Sequence, residues 1–577
     1  LMKRNPNPYD GEPIYNLGLV LKYQGNFWEA YDMFYKSTWN GAWQDAGFFE
    51  CAQISVMLHR MDDAREEIEN CLIRNTHNHK ARALKAAILR LTDKKDEAIA
   101  WCEVSLKIDQ FNYGCLFELF LSTDNNKYLD KMVEMMHGMP NNYDELALDY
   151  AGAGLYGEAL KVLQAAIDNK AITPMTYYYL GWVLRKKDTD DWEIAKSAYE
   201  QASKYPSDYC FPNRPEAVLA LKDAININDK DAKAPYYLGC LYYDKRQYDV
   251  AMEVWRESAE TDPKFPTVWR NLALGLFNKE HKGEEAVKCM EKAFLLDTTD
   301  ARILMELDQL YKRLGYAHAM RLKHLQQYPE LIAKRDDLLL EEITLLNQTG
   351  NYAEAMKKLD AHQFHPWEGG EGKVSGQYQL CRLELAKQAL VRKDYDTAIS
   401  LLEACLVYPH HLGEGKLYGA QENDFYYFLG CAYQAKGMDD KAKECWEEAT
   451  KGPQEPAAAM YYNDAKPDKI FYQGLALLKL GRVDEAHGRF YKLVNYGKNH
   501  LFEDVVMDYF AVSLPDLQIW EGDLNLSNQI HCNYMLALGF YGLGDKKHAE
   551  RYLEKASQLD KNHLGILSFK TLIELGF

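Results

Sequence analysis

The sequence predicts an all-α protein, arranged as a right-handed superhelical solenoid of about 13–14 helical hairpins. Three observations support this prediction. Alanines recur at intervals of 34 residues, as at Ala30, Ala64 and Ala98. A glycine stands five residues before several such alanines, as Gly25 does before Ala30. Small residues and large aromatic residues also share each period, which is typical of helices that pack closely in pairs.

The clearest unit covers residues 236–263 and reads YYLGCLYYDKRQYDVAMEVWRESAETDP. Gly239 and Ala251 are small, so two antiparallel helices can approach each other closely at these positions. We expect Tyr242 and Trp255 to fill the space between this pair of helices and the next. This is the pattern of the tetratricopeptide repeat, in which a helix, a tight turn and a second helix form one unit.

Two further signals extend the pattern along the chain. Glycine tolerates the left-handed conformation that often ends a helix, and four glycines stand where the first helix of a unit should end: Gly25, Gly350, Gly437 and Gly481. The alanine position of the second helix is predicted at Ala30, Ala64, Ala98, Ala159, Ala195, Ala217, Ala251, Ala286, Ala355, Ala398, Ala442, Ala486 and Ala549.

The predicted repeat is irregular near residues 110–140, 205–226 and 495–530. The first region has room for an extra, degenerate pair of helices. In the second, Tyr205–Asn213 contains two prolines, so we expect an extended segment in place of a first helix. In the third we expect another odd pair, with FEDVVMDYF as one helix and SLPDLQIW as a break.

These breaks suggest three parts of one continuous solenoid. Residues 1–204 would form an N-terminal array, and residues 205–345 a central array after the extended break. Residues 346–577 would form a C-terminal array with long loops between its repeats.

Composition narrows the function classes. Asp and Glu number 86 against 68 Lys and Arg, so the net charge is -18. This argues against nucleic-acid binding, because neutralisation of phosphates supplies most of that affinity. The twelve cysteines form no CxxC pair and no zinc-spaced cluster, so we expect small buried side chains in a reducing compartment and no metal.

The sequence gives no sign of a membrane segment. No run of eighteen apolar residues occurs, and the first residues, LMKRNPNPYDGEP, are not a secretion signal. We therefore expect a cytoplasmic protein that contacts no membrane. The start resembles a junction between domains, and if the chain is a fragment, the sequence leaves open whether a signal lies upstream.

From Ala355 onward the period lengthens to 43 or 44 residues, and the added residues contain a repeated phrase. GEGKVSGQ begins at Gly370, and GEGKLYGAQ begins 43 residues later at Gly413. Because insertions at one position of a repeat array lie on one face, we expect the two phrases to be neighbours at a shared edge. They are not phosphate-binding P-loops, since neither lysine precedes Ser or Thr and no strand is expected before them.

Polar and aromatic residues crowd around these loops, a mixture that is typical of a sugar or peptide groove. The candidate residues for binding a ligand or partner are His365, Trp367, Glu368, Glu371, Lys373, Gln377, Glu414, Lys416, Gln421, Glu422, Asn423 and Asp424. A backbone anion nest is one further use of the glycines. The alternative is that these charges pair with one another and only lock long loops.

Several long stretches carry a resemblance to a known family. They include RNPNPYDGEPIYNLG, DYCFPNRPEAV, FHPWEGGEGKVSGQY and LGEGKLYGAQEND, in order over nearly all of the chain. The chain is similar to the C-terminal half of large bacterial proteins of unassigned function, in which a galactose-mutarotase-like β-sandwich domain precedes a tetratricopeptide array. The resemblance implies a link to carbohydrate metabolism by association, and it assigns no catalytic residue.

Two functions remain open at this point. The first is a non-catalytic scaffold that binds a protein or peptide partner, or an attached β-sandwich domain. In the second, the loop edge at residues 363–378 and 409–424 forms part of a carbohydrate-binding or glycoside-processing site with such a domain, where paired carboxylates would act. The sequence contains no catalytic triad, metal cluster or nucleotide motif, so we expect no enzyme activity and no cofactor; a glycan remains a possible partner of the loops.

Overall fold

The computed structural model describes residues 9–187, 192–367, 369–458, 464–506 and 519–576. Within these ranges the chain forms 31 α-helices, two short 3-10 helices and loops, and no strand. The prediction of an all-α repeat fold is confirmed. None of the described helices is both long enough and apolar enough to cross a membrane. The twelve cysteines form no disulfide and most of them are buried, as predicted.

The chain divides into two compact units, residues 1–264 and residues 265–577. The predicted division into three arrays stays a prediction. The helices of unit 1 are α1 (Glu12–Tyr23), α2 (Phe27–Ser37), α3 (Gln44–Met57), α4 (Met61–Arg74), α5 (His79–Leu91), α6 (Lys95–Ile108), α7 (Tyr113–Thr123), α8 (Asn126–Met135), α9 (Pro140–Gly152), α10 (Tyr156–Asp168), α11 (Pro174–Lys187), α12 (Trp192–Lys204), α13 (Pro215–Ile227), α14 (Lys233–Asp244) and α15 (Tyr248–Thr261).

The helices of unit 2 are α16 (Pro266–Asn278), α17 (Gly283–Leu296), α18 (Ala301–Arg313), α19 (His318–Leu325), α20 (Pro329–Ile332), α21 (Asp336–Gln348), α22 (Tyr352–Ala361), α23 (Lys373–Val391), α24 (Tyr395–Cys405), α25 (Asn423–Ala435), α26 (Asp439–Ala449), α27 (Pro467–Lys479), α28 (Val483–His500), α29 (Leu524–Gly542), α30 (Lys546–Leu559) and α31 (Leu564–Glu574). The 3-10 helices are Gly41–Trp43 in unit 1 and His410–Leu412 in unit 2.

Most of the helices pack in consecutive pairs, and the tight turns that the structure describes within these pairs place a residue in the left-handed conformation. The four glycines predicted for this role have φ between 74° and 82°. Other turns use residues with a side chain, as His59, Asp93, Arg246 and Lys393 do with φ between 58° and 64°. A search for turn glycines therefore finds only some of the hairpins.

The close approach of paired helices at small residues is confirmed. A Cβ added to Gly239 would lie 2.4 Å from Cδ1 of Trp255. The Trp255 indole fills the interior of its own pair, where its Nε1 donates to the Tyr236 carbonyl at 3.1 Å. The prediction that Trp255 fills the space toward the next pair is therefore wrong. Gly430 meets Trp446 in the same way in unit 2.

Replacing Gly239 with alanine should destabilise unit 1 by about 1–3 kcal/mol, because the new methyl group overlaps a buried indole. Gly157, at the start of α10, is the matched control, since nothing lies within 4 Å of its added Cβ. Gly157→Ala should raise stability by up to about 1 kcal/mol, because alanine has the higher helix propensity. Chemical denaturation followed by circular dichroism measures both, and equal effects would contradict the packing argument.

The predictions for the first two irregular regions, near residues 110–140 and 205–226, are largely correct. The extra pair near residues 110–140 is present as α7 and α8. Residues 205–213 are non-helical, as predicted, and α13, which follows them, packs on α11 and α14. Helix α13 therefore lies beside α11 and α14, which are each the first helix of a pair. The alanine spacing instead predicts that Ala217, on α13, belongs to the second helix of a pair.

The extra pair predicted near residues 495–530 is wrong. Residues 502–506 are not helical, and the rest of FEDVVMDYF lies outside the described residues. Instead, α28 and α29 are 18 and 19 residues long and pack directly on each other. The long helices α28 and α29 thus pair with each other across residues 501–523.

Candidate functional site

Three long connections follow one another in unit 2, and we name them by number. Rim loop 1 joins α22 to α23, rim loop 2 joins α24 to α25, and rim loop 3 joins α26 to α27. Rim loops 1 and 2 are in direct contact, since the Phe364 amide donates to the His411 carbonyl at 2.8 Å. A Cβ on Gly413 would lie 2.6 Å from the Phe364 carbonyl oxygen, so glycine permits this approach. The predicted adjacency of the two loops is confirmed.

The two GEGK phrases meet through the carboxylate of Glu414. Its Oε1 accepts a hydrogen bond from the Gly372 amide at 3.0 Å, and its Oε2 accepts one from the Ser375 amide at 3.3 Å. Both amides lie at the N-terminus of α23, where the N-cap residue, Gly372, has no side chain to cap the helix. A carboxylate at this end satisfies free N–H groups and faces the positive end of the helix dipole. Glu414 therefore caps a helix of the preceding repeat.

Glu414→Ala should lower the local stability of the first turn of α23 by about 1 kcal/mol, the usual effect of losing an N-terminal cap. Glu371 occupies the same place in the first phrase and is exposed, so Glu371→Ala is the matched control. Hydrogen exchange at the Gly372 and Ser375 amides measures the difference. Unchanged protection in Glu414→Ala would show that the cap contributes nothing.

The two phrases differ in conformation although their first four letters are the same. In the first phrase Gly372 has φ of 72°, and α23 begins at the next residue, Lys373. In the second phrase Gly413 has φ of 70°, and the chain stays non-helical until Asn423. The prediction that residues 363–378 form one loop is thus wrong from Lys373 onward. Both phrases have a glycine at the seventh position, but only Gly419 has a positive φ, at 82°, whereas Gly376 lies within α23.

Lys416 is held within its own loop. Its Nζ lies 2.6 Å from Oε1 of Glu422 and donates to the Leu406 carbonyl at 2.9 Å. Glu422 is buried, so the pair neutralises a carboxylate that would otherwise lose hydration without compensation. Lys373, by contrast, is exposed at the start of α23.

Other predicted residues also hold the chain together. Gln421 joins rim loop 2 to rim loop 3, since its side chain donates to the Asp464 carbonyl at 3.1 Å and accepts from the Lys466 amide at 3.0 Å. The Asn423 side chain donates to two carbonyls at the end of α26, those of Ala449 and Lys451, both at 2.8 Å.

The last two of this group are buried. The carboxylate of Asp424 lies 2.6 Å from Nζ of Lys469 on the next first helix. The Gln377 side chain accepts from the Asn347 amide group at 2.8 Å. These contacts match the alternative in which the charged and amide groups lock long loops.

A cleft of about 250 Å³ remains between rim loops 1 and 2. Trp367 forms one wall, and its ring lies against Gly370, where an added Cβ would approach to 2.4 Å. Val374 and Leu412 supply apolar surface, and His365, Glu371 and Glu414 supply polar groups. Glu368, predicted for the same site, lies outside the described residues.

Asp336, the first residue of α21, holds His365 in position at this cleft. This role was not predicted from the sequence. Its Oδ2 accepts from the His365 amide at 2.7 Å, and its Oδ1 lies 2.8 Å from Nε2 of His362. Burial raises the pKa of Asp336, but the hydrogen bonds from the two histidines outweigh burial and hold the pKa below its ordinary value. Nothing in the sequence marks this residue, which stands 29 positions before His365.

No metal centre is formed by the part of the chain that the structure describes, where no three His, Cys, Asp or Glu side chains come close enough together to hold an ion. His410 and His411, adjacent in sequence, instead form part of a 3-10 helix at the edge of rim loop 2. The candidate residues therefore form a small cleft bordered by groups that hold hydrogen bonds and ion pairs within the protein.

A second arrangement in unit 2 involves a short segment, Ile519–Glu521. The Asn278 side chain donates to the Ile519 carbonyl and accepts from the Glu521 amide, both at 2.9 Å. Between these two contacts, Trp520 is only 1% exposed, and its Nε1 donates to the Glu306 carbonyl at 2.9 Å. The sequence marked this stretch only as a break between helices.

Further contacts fix the ends of this segment. The Trp520 ring meets Phe277 edge-on, with 5.3 Å between ring centroids. The Glu521 carboxylate pairs with Lys279. Residues from α16, the turn after it and α18 thus hold this short non-helical segment by its backbone, by one aromatic side chain and by one charge.

Comparison with known families places two of the hairpins. Residues 424–451 and 530–563, which cover most of α25–α26 and α29–α30, match the tetratricopeptide repeat family. These segments are tetratricopeptide repeats. Residues 236–263, from which the repeat pattern was derived, also form a pair of helices, part of α14 and the whole of α15.

Several solved structures are similar to this chain. Yeast Tom70 is 14% identical, with 74% of this chain and 96% of that chain covered and a TM-score of 0.22. The Naa15/Naa10 complex bound to HypK-THB is 14% identical, with 98% and 96% covered and a TM-score of 0.22. MamA from Desulfovibrio magneticus RS-1 is 18% identical, with 34% and 97% covered and a TM-score of 0.21. TM-scores of 0.21 and 0.22 are too low to show that this chain shares the overall structure of these three proteins.

Proposed function

We propose that this tetratricopeptide protein is a non-catalytic scaffold that binds an extended segment of a protein partner. The observation that carries the proposal is the grip of Asn278 on the backbone of Ile519 and Glu521. One side chain that pairs with both a carbonyl and an amide recognises an extended backbone whatever its side chains are. Unit 2 therefore already contains the contacts that recognition of a peptide requires.

Selectivity in such a site would come from the groups around Asn278. A large aromatic side chain fits under α18, where Trp520 buries its ring and satisfies its N–H. Lys279 favours an acidic residue directly after the aromatic one, as it pairs with Glu521. The preferred ligand is thus an extended segment with a tryptophan followed by Glu or Asp.

A labelled peptide with the sequence LQIWEGD, residues 517–523, tests the proposal. We expect it to bind the full chain carrying Trp520→Ala, in which the internal tryptophan no longer competes, and to bind the unmodified chain more weakly. Adding Asn278→Ala should abolish the gain, and a peptide with alanine in place of tryptophan should not bind. Fluorescence anisotropy measures each pair.

A second internal variant guards against loss of folding in Trp520→Ala. Glu521→Lys places like charges at Lys279 and keeps the tryptophan, so it should also increase peptide binding. Absence of binding to either variant, with helical circular dichroism intact, would refute the proposal.

The cleft beside Trp367 favours a second candidate function. In it, residues 363–378 and 409–424 contribute to a carbohydrate-binding or glycoside-processing site together with a β-sandwich domain, in a bacterial, carbohydrate-related protein. An aromatic wall next to polar groups suits a sugar ring. Calorimetric titration with mono- and oligosaccharides, repeated on Trp367→Ala, tests it. Heat of binding that disappears in the variant would support this candidate, and identical titrations would exclude it.

A further inference from the structure

We propose that a groove on unit 1, between α2 and α4, binds the arginine or lysine side chains of a basic segment in a partner protein. The groove is far in sequence from the Asn278 site and belongs to the other compact unit. It encloses a volume of about 570 Å³. This lies within the usual range of ligand pockets, roughly 300–1,000 Å³.

Exposed aromatic rings form one side of this groove. Trp39, in the turn after α2, is 75% exposed, and Tyr35 is 48% exposed. Tyr35 stands beside Tyr31, with 6.2 Å between ring centroids and 17° between ring planes. Large aromatic side chains that stay in water lose the benefit of burial, so a cluster of them marks a surface that another molecule covers.

Carboxylates also line the groove, and three of the four lie on α4. Asp32 on α2 and Asp63, Glu66 and Glu67 on α4 line the groove, where Lys36 is the lysine among the lining residues. Glu67 is 5% exposed and accepts a hydrogen bond from the Tyr31 hydroxyl at 2.5 Å. Burial raises its pKa, and an incoming cation would favour its ionised form.

The protein already binds one of its own cations with the same chemistry beside this groove. The Arg60 guanidinium carbon lies 5.2 Å from the Trp28 ring centroid and 5.3 Å from that of Tyr31. Its Nε lies 2.6 Å from Oδ2 of Asp63. A guanidinium held between aromatic faces and a carboxylate gains from cation–π attraction and from a charge-assisted hydrogen bond.

The two sides of the groove together select a cation with a flat or extended apolar stem. Aromatic rings contact the stem or the guanidinium plane, and the carboxylates of Asp32 and Glu66 accept the N–H groups. A neutral or acidic segment would leave these carboxylates without a partner and add repulsion. The net charge of -18 also speeds the approach of a basic segment over a distance.

Binding of an acetylated, amidated and fluorescein-labelled triarginine peptide tests this inference. We expect saturable binding to the full chain below about 1 mM. The double variant Trp39→Ala, Glu66→Gln should weaken it at least tenfold, as expected for the loss of a cation–π contact and a charged hydrogen bond. Both residues are exposed, so folding is preserved, which circular dichroism verifies. Glu29→Gln, on α2 but outside the groove, is the matched control and should leave binding unchanged.

Three results would overturn the inference. Equal weakening by Glu29→Gln would show nonspecific attraction to an acidic surface. No binding, or binding that the double variant does not change, would remove the groove as the site. Competition by spermidine at the same concentration as triarginine would identify a polyamine site instead of a peptide site. None of these results bears on LQIWEGD binding at Asn278, so this inference and the proposed function can fail separately.

Discussion

Arg321→Met is expected to lower the stability of unit 2 by about 3–5 kcal/mol, the usual result of removing one partner from a buried ion pair. The Arg321 side chain is fully buried on α19. Its NH2 group lies 2.6 Å from Oδ2 of Asp308 and 2.7 Å from Oε1 of Glu341. Without the guanidinium, Asp308 becomes a buried carboxylate that keeps no comparable partner, while Glu341 still contacts Lys312 at 3.1 Å.

The measurement is hydrogen exchange at amides of α18 and α21, since the two compact units need not unfold together. Arg482→Met provides the control. Arg482 also bridges two carboxylates, Glu485 at 2.7 Å and Glu447 at 3.3 Å, but all three side chains are 40–50% exposed. Its replacement should leave the stability almost unchanged, because water screens exposed ion pairs. Similar losses in the two variants would contradict the role given to burial.

Asp144→Asn should remove a strong pH dependence from the stability of unit 1. Burial raises the pKa of Asp144 on α9 to about 8, and the Thr176 hydroxyl, 3.2 Å from Oδ2, only partly offsets burial. The folded state therefore holds a proton that the unfolded chain releases near pH 4. Stability should fall as the pH rises from about 4 to about 8, by up to about 1.4 kcal/mol per pH unit.

Asparagine stays neutral and keeps the shape of the protonated acid, so the variant should lose this slope and be more stable than the natural chain near pH 8. Urea unfolding between pH 5 and pH 8 measures the slope. Asp168→Asn, at the exposed end of α10, is the control and should retain it. A slope that persists unchanged in Asp144→Asn would mean that this carboxyl is already ionised in the folded protein.

The hairpin repeat could be predicted because its signals are local. Gly239 and Trp255 lie 16 positions apart, and both helices of the unit are visible within one period. The turn signal was less complete, since His59 and Lys393 adopt the left-handed conformation that the search assigned to glycine. The even spacing of alanines also suggested a helical pair near residues 495–530, where the chain instead lengthens α28 and α29.

The candidate site could be predicted only in outline. Equal insertions in consecutive repeats predicted that the two GEGK phrases would meet, and they do. The spacing does not show which carboxylate of one loop meets which backbone amide of the other, because that depends on how the two loops pack. The capping of α23 by Glu414 therefore could not be derived from the sequence. Trp520 was harder still, because its hydrogen-bond partner Glu306 precedes it by 214 residues.

That separation has a consequence for synthesis of the protein on the ribosome. Asn278 and Phe277 are made 241 residues before the segment that covers them. At about 5–20 residues per second, translation takes roughly 12–50 s to reach Trp520. During that interval the surface of α16 and α18 that later contacts Trp520 is exposed to solvent and to any chaperone that binds apolar surface. The nascent chain therefore keeps this apolar surface uncovered until residues 519–521 have left the ribosome.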